Sequence, residues 1–188
     1  MSGSVQFEGN SVVAWPADDV GEELRLLAAA TGGTVVLFGW SGDTLQCRLR
    51  HDPPPQPLVV PQFDRGAVLP GTEAPLHVLL AWLAPDVLER RVAGLQRAPH
   101  SLSNRALLAL RLTRVRETGR DVVAGGVRGE VTSIAVPVRD RHGEVTAALA
   151  VIAPSVYLED LDLTTIATDL GRIAAQVPAG ADTLPSPV

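Results

Sequence analysis

The sequence predicts an α+β domain with a central antiparallel sheet of five or six strands and helices packed on both of its faces. Three observations carry this expectation. Between Glu130 and Pro154, two runs rich in Val, Ile, Ala and Thr flank the polar segment Arg139-Asp140-Arg141-His142-Gly143. That is the pattern of a β-hairpin, in which Gly143 supplies the positive φ of a short loop. Ile134, Val136 and Val138 alternate with Ser133, Ala135 and Pro137 on its first strand, and Val145, Leu149 and Val151 with Thr146, Ala148 and Ala150 on its second. Neither face is strongly polar, so the hairpin belongs in the middle of a sheet covered on both sides. Finally, the first and last helical stretches are strongly amphipathic, which suits layers laid on such a sheet. One hairpin face is made of small residues, which either admits a closely packed helix or leaves a hollow for a ligand.

The elements follow in order. Residues 1–18 form an N-terminal segment without a strong period, ending in Trp15-Pro16 and the helix-opening Asp18 and Asp19. Val20, Leu24, Leu27 and Ala28 then recur at helical spacing until Gly32-Gly33 stops the helix. Thr34–Trp40 and Thr44–Arg50 read as strands around a turn at Ser41-Gly42-Asp43. Five prolines between Asp52 and Pro61 impose an extended connector. A helix follows Pro75, a short one spans Pro85–Ala93, and a longer one spans Asn104–Thr118, capped by Ser103 and ended by Gly119. Leu108, Leu112 and Val115 form its core stripe, and Arg111, Arg114 and Arg116 lie outside it as a solvated face. A strand over Asp121–Ala124 leads through a glycine-rich turn into the hairpin. Asp160 or Asp162 then caps a last helix carrying Leu163, Ile166, Ala167, Leu170, Ile173, Ala174 and Val177. Residues 178–188 read as a disordered tail.

Composition narrows the chemistry. The chain has 188 residues, 46% of them hydrophobic and 20% charged, which suits one packed domain over residues 19–177. All sixteen basic residues are arginine, so no Walker lysine, Schiff-base lysine or Ser-Lys dyad can form. A net charge of −5 argues against direct nucleic-acid binding. The lone Cys47 excludes an internal disulfide and a zinc cage, and reads as a small core residue. There is no signal peptide and no apolar run long enough to span a bilayer, so a cytoplasmic location is expected, without membrane contact. Gly39-Trp40-Ser41-Gly42-Asp43 lacks the last glycine of a nucleophile elbow. Gly125-Gly126-Val127-Arg128-Gly129 precedes a strand instead of the helix that a phosphate loop needs. His51, His77, His100 and His142 are scattered, and no nucleophile, base and orienting group assemble, so neither a catalytic nor a metal site is expected, and no cofactor.

Several stretches resemble the effector-binding domain of IclR-family transcriptional regulators, a relative of the GAF sensor fold. Ser133-Ile134-Ala135-Val136-Pro137-Val138, the loop at Gly143 and Ala147-Ala148-Leu149-Ala150-Val151 with Pro154 resemble its signature hairpin. Gly71-Thr72-Glu73-Ala74-Pro75-Leu76-His77 is similar to its Gly-x-x-x-Pro-Leu-His entry to a helix bordering the effector pocket. The run from Leu27 through Gly33 into the first hairpin, and the helix ending Val115-Arg116-Glu117-Thr118-Gly119, fit the same pattern. After His77 the chain departs from the family: the segment is shorter and lacks the usual Gly-Lys, which removes the polar lip of the pocket.

The resemblance implies a GAF-like fold and a small-molecule-sensing regulatory domain, with pocket candidates Pro75, Leu76, His77, Val123, Ser133, Ala135, Ala150 and Ile152. It also implies a homo-oligomer, expected to be a dimer. In the family a winged helix-turn-helix precedes this domain, and too few residues precede Val20 to hold one, so the chain reads as a stand-alone sensor or a fragment with a missed start. The competing reading is a structural or dimerisation module with a degenerate pocket, acting through protein partners. In the relatives that bind small hydroxy or keto acids, the resemblance implies hydrogen-bonding groups at the positions matching Val123, Ser133, Ala150 and Ile152, and here only Ser133 keeps one. The expected ligand is therefore apolar or aromatic instead of a small keto or hydroxy acid.

Overall fold

The computed structural model describes residues 13–14, 19–42, 44–53, 72–95, 104–124 and 131–177. The expected tail, the glycine-rich turn and most of the proline-rich connector lie outside these residues.

Six strands form one sheet: β1 (Val13–Ala14), β2 (Thr34–Ser41), β3 (Thr44–His51), β4 (Asp121–Val123), β5 (Val131–Arg139) and β6 (Val145–Pro154). Their order across the sheet is β1-β3-β2-β6-β5-β4. Five of them pair antiparallel, as the sequence predicts, while β1 adds a two-residue parallel edge against Leu49 and Arg50. So short a strand cannot show a period of two, which is why residues 1–15 carry no readable signal. The β5–β6 hairpin turns where expected, with Gly143 at φ 83° and Asp140 Oδ1 accepting from the His142 and Glu144 N–H groups.

The helices are α1 (Asp19–Thr31), α2 (Glu73–Leu80), α3 (Pro85–Gly94), α4 (Arg105–Thr118), the single turn α5 (Ser155–Leu158) and α6 (Leu163–Ala174). The two sides of the sheet bury separate cores. On one, Leu24, Leu27 and Ala28 of α1 and Ile166, Leu170 and Ile173 of α6 meet Ile134, Val136, Leu149 and Val151. On the other, Leu76, Leu79 and Leu80 of α2 and Leu108, Leu112 and Val115 of α4 meet Ala135, Ala148, Ala150 and Ile152. Helices thus cover both faces. The small-residue face of the hairpin receives a helix: alanines on β5 and β6 leave room for α2 to settle against the sheet, and every residue of α2 is buried.

Three local expectations are corrected. Asn104, not Ser103, caps α4, its Oδ1 accepting from the N–H groups of Ala106 and Leu107 at 3.1 and 3.2 Å; Ser103 lies outside the described residues. Asp162 is the cap of α6, bonding Thr164 N–H, and the helix stops at Ala174, although Val177 still packs into the core. The arginines of α4 are not one solvated face. Arg116 Nε donates to Ala81 O, closing the carbonyl end of α2, and Arg111 turns toward β4.

Candidate functional site

Strand register assembles the site. Directly opposite residues of neighbouring strands share a face, so Val123, Ser133 and Ile152 form one row across β4, β5 and β6. The adjacent row is Asp121, Ala135 and Ala150. Both rows face α2, which carries Pro75, Leu76 and His77. Five of the residues singled out in the sequence are therefore neighbours on the sheet, and Leu76 is fully buried in the same core.

His77 reaches this surface through a residue that sequence reasoning passed over. Its Nδ1 lies 2.7 Å from Asp121 Oδ2, with His77 only 2% and Asp121 4% exposed. Arg111 holds the same carboxylate, its Nε 2.9 Å from Oδ1, and its Nη2 donates to Val122 O at 2.7 Å. Three elements, α2, β4 and α4, are thus tied by one buried carboxylate. Asp121 was read only as the first residue of a strand, where an acidic side chain carries no sign of burial.

Among the described residues two buried polar atoms at this site have no hydrogen-bond partner, His77 Nε2 and Ser133 Oγ. Ser133 is completely buried. Buried polar groups are nearly always satisfied, because leaving one bare costs about 1–3 kcal/mol. Since both atoms are bare, they do not bond each other, and His77 is not placed as a base on Ser133.

Other features are silent. Burial pushes the Cys47 thiol up to about 12, and its Sγ is engaged with Leu49 O, which leaves no reactive thiolate. Among the described residues no cluster of His, Cys, Asp and Glu could hold a metal ion, and no helix is long and apolar enough to cross a membrane. A groove of about 440 Å³ lies on the opposite side of the sheet beside α5, lined by Thr132, Ser155 and Leu163 among others. It contains none of the expected pocket residues.

Residues 72–179 match the family described as bacterial transcriptional regulator IclR C-terminal. No curated protein matches the chain. Among solved structures, the chain is similar to an IclR transcriptional regulator from Silicibacter sp. TM1040, at 28% identity and a TM-score of 0.67 over 81% of this chain and 61% of that one. An IclR-family regulator from Rhodococcus sp. is 25% identical with a TM-score of 0.67, over 88% of this chain and 63% of the other. The chain thus spans about three-fifths of these two regulators. The inducer-binding domain of PobR from Acinetobacter, solved with 3-hydroxybenzoic acid, shares the fold at 21% identity and a TM-score of 0.63, over 83% of this chain and 95% of that one.

Proposed function

The chain belongs to the IclR family of bacterial transcriptional regulators as a C-terminal domain, and from that membership we propose that it is a cytoplasmic, non-catalytic sensor of a small apolar or aromatic effector. The observation that carries the reading is the pair of bare buried polar atoms, His77 Nε2 and Ser133 Oγ, on the small-residue surface beneath α2. A packed core has no use for them; a ligand site does. The pocket is proposed to be bounded by Pro75, Leu76 and His77 on α2 and by Val123, Ser133, Ala135, Ala150 and Ile152 on the sheet. Small carboxylates such as pyruvate or glyoxylate are poor candidates, because one hydroxyl returns far less than desolvating the anion costs.

The test is a thermal-shift panel of neutral aromatic compounds and small carboxylates on the full chain, with calorimetry on the hits. A ligand present at 100 times its Kd stabilises by about 2.7 kcal/mol, a clear shift. Stabilisation by a neutral aromatic that Ser133→Ala abolishes is the expected outcome. A carboxylate that binds at micromolar Kd and depends on Ser133 overturns the ligand assignment, and a panel with no hit overturns sensing.

One observation favours the alternative of a dimerisation module acting through protein partners. Leu107 and Leu110 stand 48% and 70% exposed one turn apart on α4, an apolar pair suited to contact with a second copy. A single-chain mass by light scattering at high concentration would remove it, together with the expected dimer.

A further inference from the structure

Resting on the sensing role just proposed, the polarity of the His77 hydrogen bond narrows the ligand further. Asp121 lies against His77 Nδ1 at 2.7 Å and against Arg111 Nε at 2.9 Å. A carboxylate has no hydrogen to give, so the proton in the first contact sits on Nδ1. In the neutral imidazole, Nε2 is then a bare lone pair, an acceptor with no N–H. Arg111 already pairs with the Asp121 carboxylate. The orphan atom at the site is thus an acceptor waiting for a donor, and Ser133 Oγ on the same sheet surface can donate or accept.

We propose that the Arg111–Asp121–His77 relay fixes His77 Nε2 as an acceptor, so that this site selects a neutral ligand whose hydroxyl, a phenol or alcohol on an apolar body, donates to it. A carboxylate or an ether oxygen would meet this nitrogen lone pair to lone pair. Asp121 and Arg111 touch no ligand in this scheme; they position and orient the imidazole, as a carboxylate behind a histidine does wherever the far nitrogen must be kept in one tautomer.

The relay makes a prediction that needs no ligand. In a long-range 1H–15N NMR spectrum of the full chain, with the His77 signals assigned by their loss in His77→Gln, Nδ1 carries the proton and Nε2 is bare. A wild-type ring protonated on Nε2 overturns the proposal. Titrations with phenol, anisole and benzoate read the selection: phenol should bind at least about tenfold tighter than either, since anisole has a methyl in place of the donated hydrogen and a carboxylate has no hydrogen to donate. Asp121→Asn gives the decisive control. Its amide donates to Nδ1, moves the proton to Nε2 and abolishes the preference for phenol over anisole, since either oxygen can then accept; a purely structural Asp121 would not do this. Should that variant fail to fold, the wild-type tautomer and titrations still decide. Binding of benzoate in preference to phenol sinks the selection while sensing stands. If none of the three probes binds and the wider panel gives no hit, both ideas fall.

Discussion

Among the described residues Ser133 is a hydroxyl buried without a partner, on a strand whose buried positions are mostly Val, Ile and Ala. If it is kept for a ligand, the unliganded fold bears the cost of desolvating it. Ser133→Ala should therefore raise the stability of the ligand-free chain by about 1 kcal/mol, read from the urea midpoint at unchanged slope, while ligand binding falls. A loss of stability instead would mean that the hydroxyl already has a structural role. The residue's candidacy came from the resemblance, which aligns Ser133 with a hydrogen-bonding position of the family's pocket. Asp121 broke no pattern, since an acidic residue beside a turn is ordinary, and its partner His77 lies 44 positions away. Local sequence reports which residue types are out of place, and pairs formed by tertiary packing leave no trace in it.

At the scale of elements, α2 depends on its neighbours because it is buried along its whole length and has no side-chain N-cap. Its far end is held by Arg116 on Ala81 O, and its middle by the His77–Asp121–Arg111 contact. Removing one member of a buried ion pair leaves the other charge stranded, a cost of about 3–5 kcal/mol when the pair is fully enclosed. The Arg111 side chain is 31% exposed, so solvent screening lowers the expectation for Arg111→Met to about 2 kcal/mol in chemical denaturation. A double-mutant cycle with Asp121→Asn should give a coupling energy above about 0.5 kcal/mol; additive effects would show that the contact stabilises nothing. Apart from β1 and the single turn α5, the helices and strands were readable in the sequence, and the small-residue face of the hairpin, left open between a helix and a hollow, receives a helix. What period cannot give is the partner of a polar residue on a helix flank. Arg111 and Arg116 sit outside the apolar stripe of α4 and so read as solvated, yet both are spent on α2 and β4. Ser103 and Asn104 are equally good caps by type, and only the backbone decides between them.

At the scale of the whole molecule, two apolar cores on opposite faces of one sheet consume the amphipathic faces of α1, α4 and α6, so the exterior is set by charge. Nothing in that exterior favours a polyanion: acidic residues outnumber basic ones, giving a net charge of −5. Several of the arginines are also occupied, by Asp121, by Ala81 O, by Glu22 and by Glu23. Affinity for duplex DNA comes largely from counterions released when cationic side chains neutralise phosphates, and a specific site needs a recognition element in the groove. The described residues present a sheet between helix layers. The chain as it stands should therefore give no anisotropy change with a fluorescent duplex at about 150 mM salt, and at most weak, sequence-indifferent binding at about 50 mM. Sequence-specific retention that survives the higher salt would show that this domain itself reads DNA, and would move the regulatory reading from sensing to direct recognition.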